Sequence, residues 1–518
     1  MDRTPASILA AFVERARADP GRACARWDDQ VLTYGALLRL AQDWAARYAA
    51  PGLQRGDRVG LFLPGGAAFL GAYLGAQLQG GATVLINTQY RQQELRHILS
   101  DSEPRVVVTD ANGAALLRQV LGEASTPALL LVPEGALLPA GPAPEEAHHA
   151  TLPPLPAPED LAVLAYTSGT TGRAKGAMLT HGCLTANSAA VTAAWRWTAD
   201  DRLLLALPLF HIHGLGVGVH GTLLTGASLT LWPRFEPEAA LAALASGAHT
   251  LFFGVPTMYT RLIAAARAAP ELARRAGKCV RLFVSGSAPL DPQTFAAFEE
   301  LFGQRILERY GMTETGMNMT NPYDGERRPG AVGLPFPGQE ARVVDVQTRQ
   351  PVPDGVIGEI EVRGPHVCAG YWRNPEATAE VFHPDGWFST GDLGWRSADG
   401  YYTITGRAKE LIISGGYNIY PREVEEALLA HPAVAECAVF GLPDAEFGER
   451  VAAAIVPRDP AAPPAPEDLE AFCRERLAAY KRPRTIRVVA SLPRNAMGKV
   501  QKHMLREQMT HESMSQKG

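Results

Sequence analysis

The chain has 518 residues, 46% hydrophobic and 20% charged, and a formal net charge of −5. That composition suits a globular protein with large cores, and at roughly 150 residues per domain it predicts about three domains or lobes. The acidic balance and the lack of any Lys/Arg-rich block argue against a nucleic-acid partner.

The opening stretch, MDRTPASILAAFVERARADP, reads as an amphipathic helix rather than a signal peptide, because its apolar run stops at Glu14 and Arg15. No run approaches the ~18 apolar residues that span a membrane. The six cysteines (Cys24, Cys183, Cys279, Cys368, Cys437, Cys473) lie far apart with no CxxC pair. Neither a disulfide framework nor a zinc site has that spacing, so free thiols in a reducing, cytoplasmic setting are expected.

Strand-like and helix-like segments then alternate. RVGLFLP (58–64), ATVLIN (82–87), RVVVTD (105–110) and ALLLVP (128–133) are apolar enough to be strands buried on both faces. GAAFLGAYLGAQLQGG (66–81) and RQQELRHILSD (91–101) are helical. This βαβ order implies a mainly parallel sheet covered by helices. A Pro/Ala/Glu-rich stretch (133–159) reads as a linker or surface excursion. A strand at 161–166 follows, then a second α/β region over about 180–310 and a β-rich stretch from 331 to 405. The last part is a compact α+β unit with a polar tail, REQMTHESMSQKG, expected to fray. The predicted fold is α/β: a large N-terminal lobe (1–406) of parallel-rich subdomains plus a β-rich one, then a small mobile α+β domain (407–518).

The strand at 161–166 runs into YTSGTTGRAKG (166–176). Hydroxyls on Thr167, Ser168, Thr170 and Thr171 can donate to phosphate oxygens. Gly169, Gly172 and Gly176 let backbone N–H groups turn inward, and Arg173 and Lys175 add charge. The stretch does not fit G-x-x-x-x-G-K-[ST], so it is a phosphate loop of another kind. SGSAPL (285–290), ERYGMTET (308–315), STGDLG (389–394), GRAKELIISGGYNIYPREVE (406–425) and PRNAMGKVQK (493–502) are equally unusual. Taken singly, Asp392 could merely close a turn and Lys499 could be a solvated lysine.

Together, and in this order, the motifs resemble the adenylate-forming superfamily of acyl-CoA synthetases, adenylation domains and luciferases, over residues 30–505. The resemblance implies ATP-dependent activation of a carboxylate to an acyl-adenylate, then transfer to the thiol of coenzyme A. It assigns the β- and γ-phosphates to Thr167, Ser168, Gly169, Thr170, Thr171, Gly172 and Lys175, and Mg²⁺ to Glu314. It places Tyr310 against adenine, lined by Ser287, Ala288 and Pro289, with Glu308, Arg309, Gly311, Met312 and Thr313 nearby. Asp392 is expected to accept the ribose hydroxyls with Arg407 beside it. Lys499 is expected to bridge carboxylate and α-phosphate; with Glu314, Thr170 and His211 it makes up the implied catalytic set. Lys409 falls at the hinge about which the small domain rotates, and Ser414, Gly415 and Gly416 would then approach the thiol. Lys499 also matches a lysine that acetyltransferases modify in bacterial relatives.

For the acid, the resemblance places His211 at the acyl pocket's gate, with Ser287 and Met312 beside it. FHIHGL, GVPTMYTR (254–261) and ERYGMTETGMNMTNPYDGERRPGAVG look most like malonyl-CoA synthetases. A second carboxylate would need a buried cationic partner, for which Arg261 is the candidate, with Arg281 and Ser287 secondary. His213 reads as a hydrogen-bonded core histidine. A short or medium-chain fatty acid and a carrier-protein thiol are the alternatives. GVGVHG (216–221) satisfies G-x-G-x-x-G, but its setting is a Gly-rich packing helix rather than a strand–helix turn, so a dinucleotide site is set aside.

Overall fold

The computed structural model describes residues 6–27, 30–122, 127–139, 153–167, 174–414, 417–444, 446–495 and 498–515. They form two compact units, Met1–Ala341 with Val362–Phe388, and Arg342–Glu361 with Ser389–Gly518. The fold is mixed α/β.

The first unit contains two parallel-rich sheets among the described residues. One has six strands, in the order Ala128–Leu131, Val106–Thr109, Arg58–Phe62, Ala82–Leu85, Leu161–Thr167, Lys175–Thr180. The last pair is antiparallel, with Thr167 opposite Lys175, so the two feet of the phosphate loop share one hairpin. The other sheet has nine strands, and its parallel centre (Arg202–Leu205, Leu251–Gly254, Leu282–Ser285, Leu307–Met312) carries the site motifs at its strand ends. Phe252, Tyr259, Phe283, Phe298 and Phe302 pack edge-on or stacked beneath it.

GVGVHG falls within a buried π-helical stretch, His213–Val219, running into the helix His220–Thr225. A side chain at Gly214 would strike the Pro208 carbonyl, and one at Gly218 would press on Leu205. These glycines serve close packing.

In the second unit, Val434–Asp444 and Gly448–Pro457 form a long antiparallel pair covered by the helix Pro421–Leu429. The helix Pro466–Arg474 opens on a proline that suits the first turn, with Glu467 and Asp468 at the positive end. One expectation shifts. The tail does not fray at Arg506: a helix runs from Lys502 to Ser515, held by Leu505 and Met509 against Ala438, Phe440 and Ala454.

Candidate active site

In the first unit, Thr167 and Lys175 stand at the feet of the loop; Ser168, Gly169, Thr170, Thr171, Gly172 and Arg173 lie outside the described residues. The Lys175 ammonium sits 5.2 Å from the Tyr371 ring centroid and 3.9 Å from Glu380. Glu314 is buried, and its Oε1 accepts from the Tyr371 hydroxyl (2.9 Å) and from Thr167 Oγ1 (3.4 Å). A buried carboxylate fixed at the end of the Leu161–Thr167/Lys175–Thr180 hairpin is a hard-oxygen donor of the kind that suits Mg²⁺. No local pattern marks Tyr371, which lies 57 residues from Glu314 along the chain.

The strand Leu307–Met312 turns back on Gly316–Thr320 with a register shift between Tyr310 and Gly311. Gly311 permits that turn, since a Cβ there would meet the Gly316 carbonyl. Tyr310, Gly311, Met312 and Thr313 are half-buried, as are Ser287 and Ala288 beyond the end of the adjacent strand, while Pro289 is exposed. Glu308 is a buried brace: its Oε1 accepts the Leu290 N–H at 3.0 Å, tying the 285–290 turn to this strand. Ser287 holds φ +71°, an uncommon left-handed backbone for a residue with a side chain.

That backbone aims Ser287 Oγ at His213 Nδ1, 3.1 Å away. His213 is buried and hydrogen-bonded as expected, while its Nε2 has no partner among the described residues. His211 accepts the His213 N–H through Nδ1 at 3.1 Å. Burial, then the Arg309 charge, pushes His211 down to about 4 and His213 well below its usual range, so both rings are neutral at pH 7.

Arg309 itself is 3% exposed, and its Nε and Nη2 have no partner among the described residues. Burial pushes it down to about 9. Its guanidinium lies against Gly286, where any side chain would collide with it. Arg309, expected beside the nucleotide, is thus the buried cation grouped with His211, His213 and Ser287.

Arg261 is not brought to this group. On the helix Pro256–Ala268 the buried positions include Tyr259, Leu262, Ile263 and Ala266, which leaves Arg261 on the exposed face, 5.5 Å from the Phe235 ring centroid. Arg281 is engaged structurally: it pairs with buried Asp201 at 2.7 Å and donates to the Trp195 and Arg196 carbonyls.

In the second unit, Asp392 is buried and pairs with Arg407 Nε at 2.9 Å across neighbouring strands. Lys499 is exposed in a turn, and its N–H donates to Asn495 Oδ1. Desolvation by its surroundings, then the Arg407 charge, lowers its pKa, against the pull of Asp392 and Glu410. Asp392, Arg407, Glu410 and Lys499 therefore form one electrostatic group. Lys502 bridges Glu425 (2.7 Å) and Glu410 (3.3 Å) just beyond it. Lys409 is exposed in the short helical turn Ala408–Glu410. Ser414 is buried, while Gly415 and Gly416 lie outside the described residues.

A parallel-rich α/β unit with a phosphate hairpin and a buried carboxylate, followed by a smaller unit carrying an Asp/Arg/Lys group, defines a nucleotide-dependent carboxylate-activating enzyme. The chain belongs to the AMP-binding enzyme family: residues 12–372 match that family's model, and residues 423–499 match that of the AMP-binding enzyme C-terminal domain. It is 42% identical to the sulfoacetate–CoA ligase of Cupriavidus necator over 475 residues, covering 91% of each chain. It is 34% identical to the malonate–CoA ligase of Arabidopsis thaliana, over 90% of this chain and 80% of that one. Among solved structures, ATP-bound MatB from Rhodopseudomonas palustris aligns with a TM-score of 0.89 at 40% identity, over 97% of this chain and 99% of that one. The protein is an AMP-forming acid–CoA ligase, with ATP and CoA as co-substrates. None of the described helices is long and apolar enough to cross a membrane.

Proposed function

We propose that the acid this ligase activates carries a second anionic group, and that malonate or methylmalonate is the substrate. One observation carries the reading: Arg309 is buried with two N–H-bearing nitrogens that have no partner among the described residues. Such a cation is costly to keep dry unless a ligand anion completes it. Monocarboxylates offer nothing to pair with it.

In this reading the distal carboxylate docks on Arg309, and His211 and His213, both neutral, shape the pocket without adding charge. The proximal carboxylate oxygen attacks the α-phosphorus of ATP; the new P–O bond forms as the bond to the β-phosphate bridge breaks, and diphosphate leaves. Lys175 and the phosphate loop hold the departing diphosphate, and Lys499 offsets charge developing between the carboxylate and the α-phosphate. Glu314 would hold Mg²⁺, which would supply charge neutralisation on the triphosphate. Asp392 receives the ribose. The CoA thiol then adds to the acyl carbonyl near Ser414 to Gly416, after rotation about Lys409 at the boundary between 1–406 and 407–518, and AMP leaves.

A second reading is sulfoacetate, favoured by the 42% identical relative; its sulfonate would satisfy the same cation. The test is ATP- and CoA-dependent AMP release with malonate, methylmalonate, sulfoacetate, acetate and butyrate, for wild type, Arg309→Met and Arg261→Ala. The reading expects turnover of the doubly anionic acids, lost in Arg309→Met and kept in Arg261→Ala. Equal use of acetate or butyrate would overturn it.

A further inference from the structure

The strand that carries Asp392, Phe388–Arg396, is fastened from behind by a charged cluster in the same unit. The strand Gly358–Arg363 supplies Glu359 and Glu361, both buried, and the β-turn region Asp345–Gln350 supplies Arg349. Asp345 Oδ1 accepts the Gln347 and Thr348 N–H groups, and this turn sets Arg349 at φ +60°. From there its guanidinium reaches Glu359 at 2.5 Å and also pairs with Glu361 and Ser389 Oγ. Arg342 takes the other oxygen of Glu361 at 2.6 Å.

Glu359 has one oxygen on Arg349. Its other oxygen, Oε1, accepts the N–H of Gly391 at 3.1 Å, one residue before Asp392. The neighbouring residue of the same strand completes the clamp: Thr390 Oγ1 donates to the Ile360 carbonyl (2.7 Å) and accepts the Asp392 N–H (3.1 Å). Gly391 holds φ +70° with open space where a side chain would sit, so it is glycine for its backbone and not for room.

Stability does not explain this cluster, because a buried ion pair replaced by apolar residues of equal volume is often neutral or stabilising. Apolar residues could not, however, accept the Gly391 N–H. We propose that Glu359, oriented by Arg349, is a positioning residue that sets the Asp392 carboxylate for the ribose of ATP. The inference rests on Asp392 being the ribose acceptor.

The test compares ATP with 3′-deoxy-ATP and 2′-deoxy-ATP in AMP release, for wild type, Asp392→Asn, Glu359→Ala, Glu359→Gln and Arg349→Met. Positioning predicts that Glu359→Ala raises KM for ATP about tenfold or more, as loss of a charge-assisted hydrogen bond does. Its KM for the less-used deoxy analogue and for the acid stays near wild type, so its ATP/deoxy-ATP preference collapses to that of Asp392→Asn. Glu359→Gln, isosteric and still able to accept from Gly391, recovers much of the preference, which also guards against a misfolded alanine variant. A wild-type preference in Glu359→Ala, with a lower Tm alone, would overturn the positioning role. A wild-type preference in Asp392→Asn would instead remove the ribose assignment, and the inference with it.

Discussion

Replacing Arg309 by methionine separates a residue kept for binding from one kept for stability. The guanidinium is 3% exposed and burial pushes it down to about 9, which at 1.36 kcal/mol per tenfold change in acidity is a cost on the order of 5 kcal/mol. Methionine keeps much of the length without the charge, so the ligand-free variant should melt at or above the wild-type temperature. A doubly anionic acid loses its buried partner, which costs about 2–5 kcal/mol, or roughly 30-fold to several thousand-fold in kcat/KM. Calorimetry with and without malonate, beside AMP release, reads both effects; malonate should raise the Tm of wild type and leave that of the variant unmoved. A variant that melts several degrees lower and still turns over malonate normally would refute the reasoning.

Arg281→Ala should behave in the opposite way. It strips the partner from buried Asp201, a change of about 3–5 kcal/mol, lowering Tm with KM for the acid unchanged. Lys499→Ala should slow ATP–diphosphate exchange by about 100-fold or more, yet retain CoA thioester formation from preformed acyl-adenylate. Acid should unfold the first unit early. Buried His181, His220 and His366 have pKa values held down to about 4, 3 and 4 by burial, so below ~6.5 the unfolded chain binds protons the folded one does not. Their contribution is full above 6.5 and is lost as pH falls towards 4, at up to about 4 kcal/mol per pH unit for the three together. The urea midpoint should therefore drop between pH 7 and 5, and a flat profile would contradict this.

The parallel sheets were legible because strands buried on both faces, such as Arg58–Phe62 and Val106–Thr109, are unbroken apolar runs. The site motifs were legible because glycines, hydroxyls and charges cluster at strand ends. What the sequence hid was direction. ERYGMTET does not say which way Arg309 faces; the register shift at Tyr310/Gly311 and the close approach of Gly286 decide that. Arg261 was open to correction from spacing, since Tyr259, Leu262, Ile263 and Ala266 mark the buried face and leave it outside. Leu505 and Met509, four residues apart, likewise marked the final helix. Tyr371 and Glu359 act through partners distant in the chain, and no local pattern announces them.

We propose that a buried cation, Arg309, selects a doubly anionic acid. The most direct measurement supplies wild-type enzyme with ATP, CoA and an equimolar mixture of malonate, methylmalonate, sulfoacetate, acetate and butyrate, and weighs the CoA thioesters by mass spectrometry. Thioesters of the doubly anionic acids are expected, malonyl-CoA foremost; acetyl-CoA or butyryl-CoA as the main product would overturn the proposal.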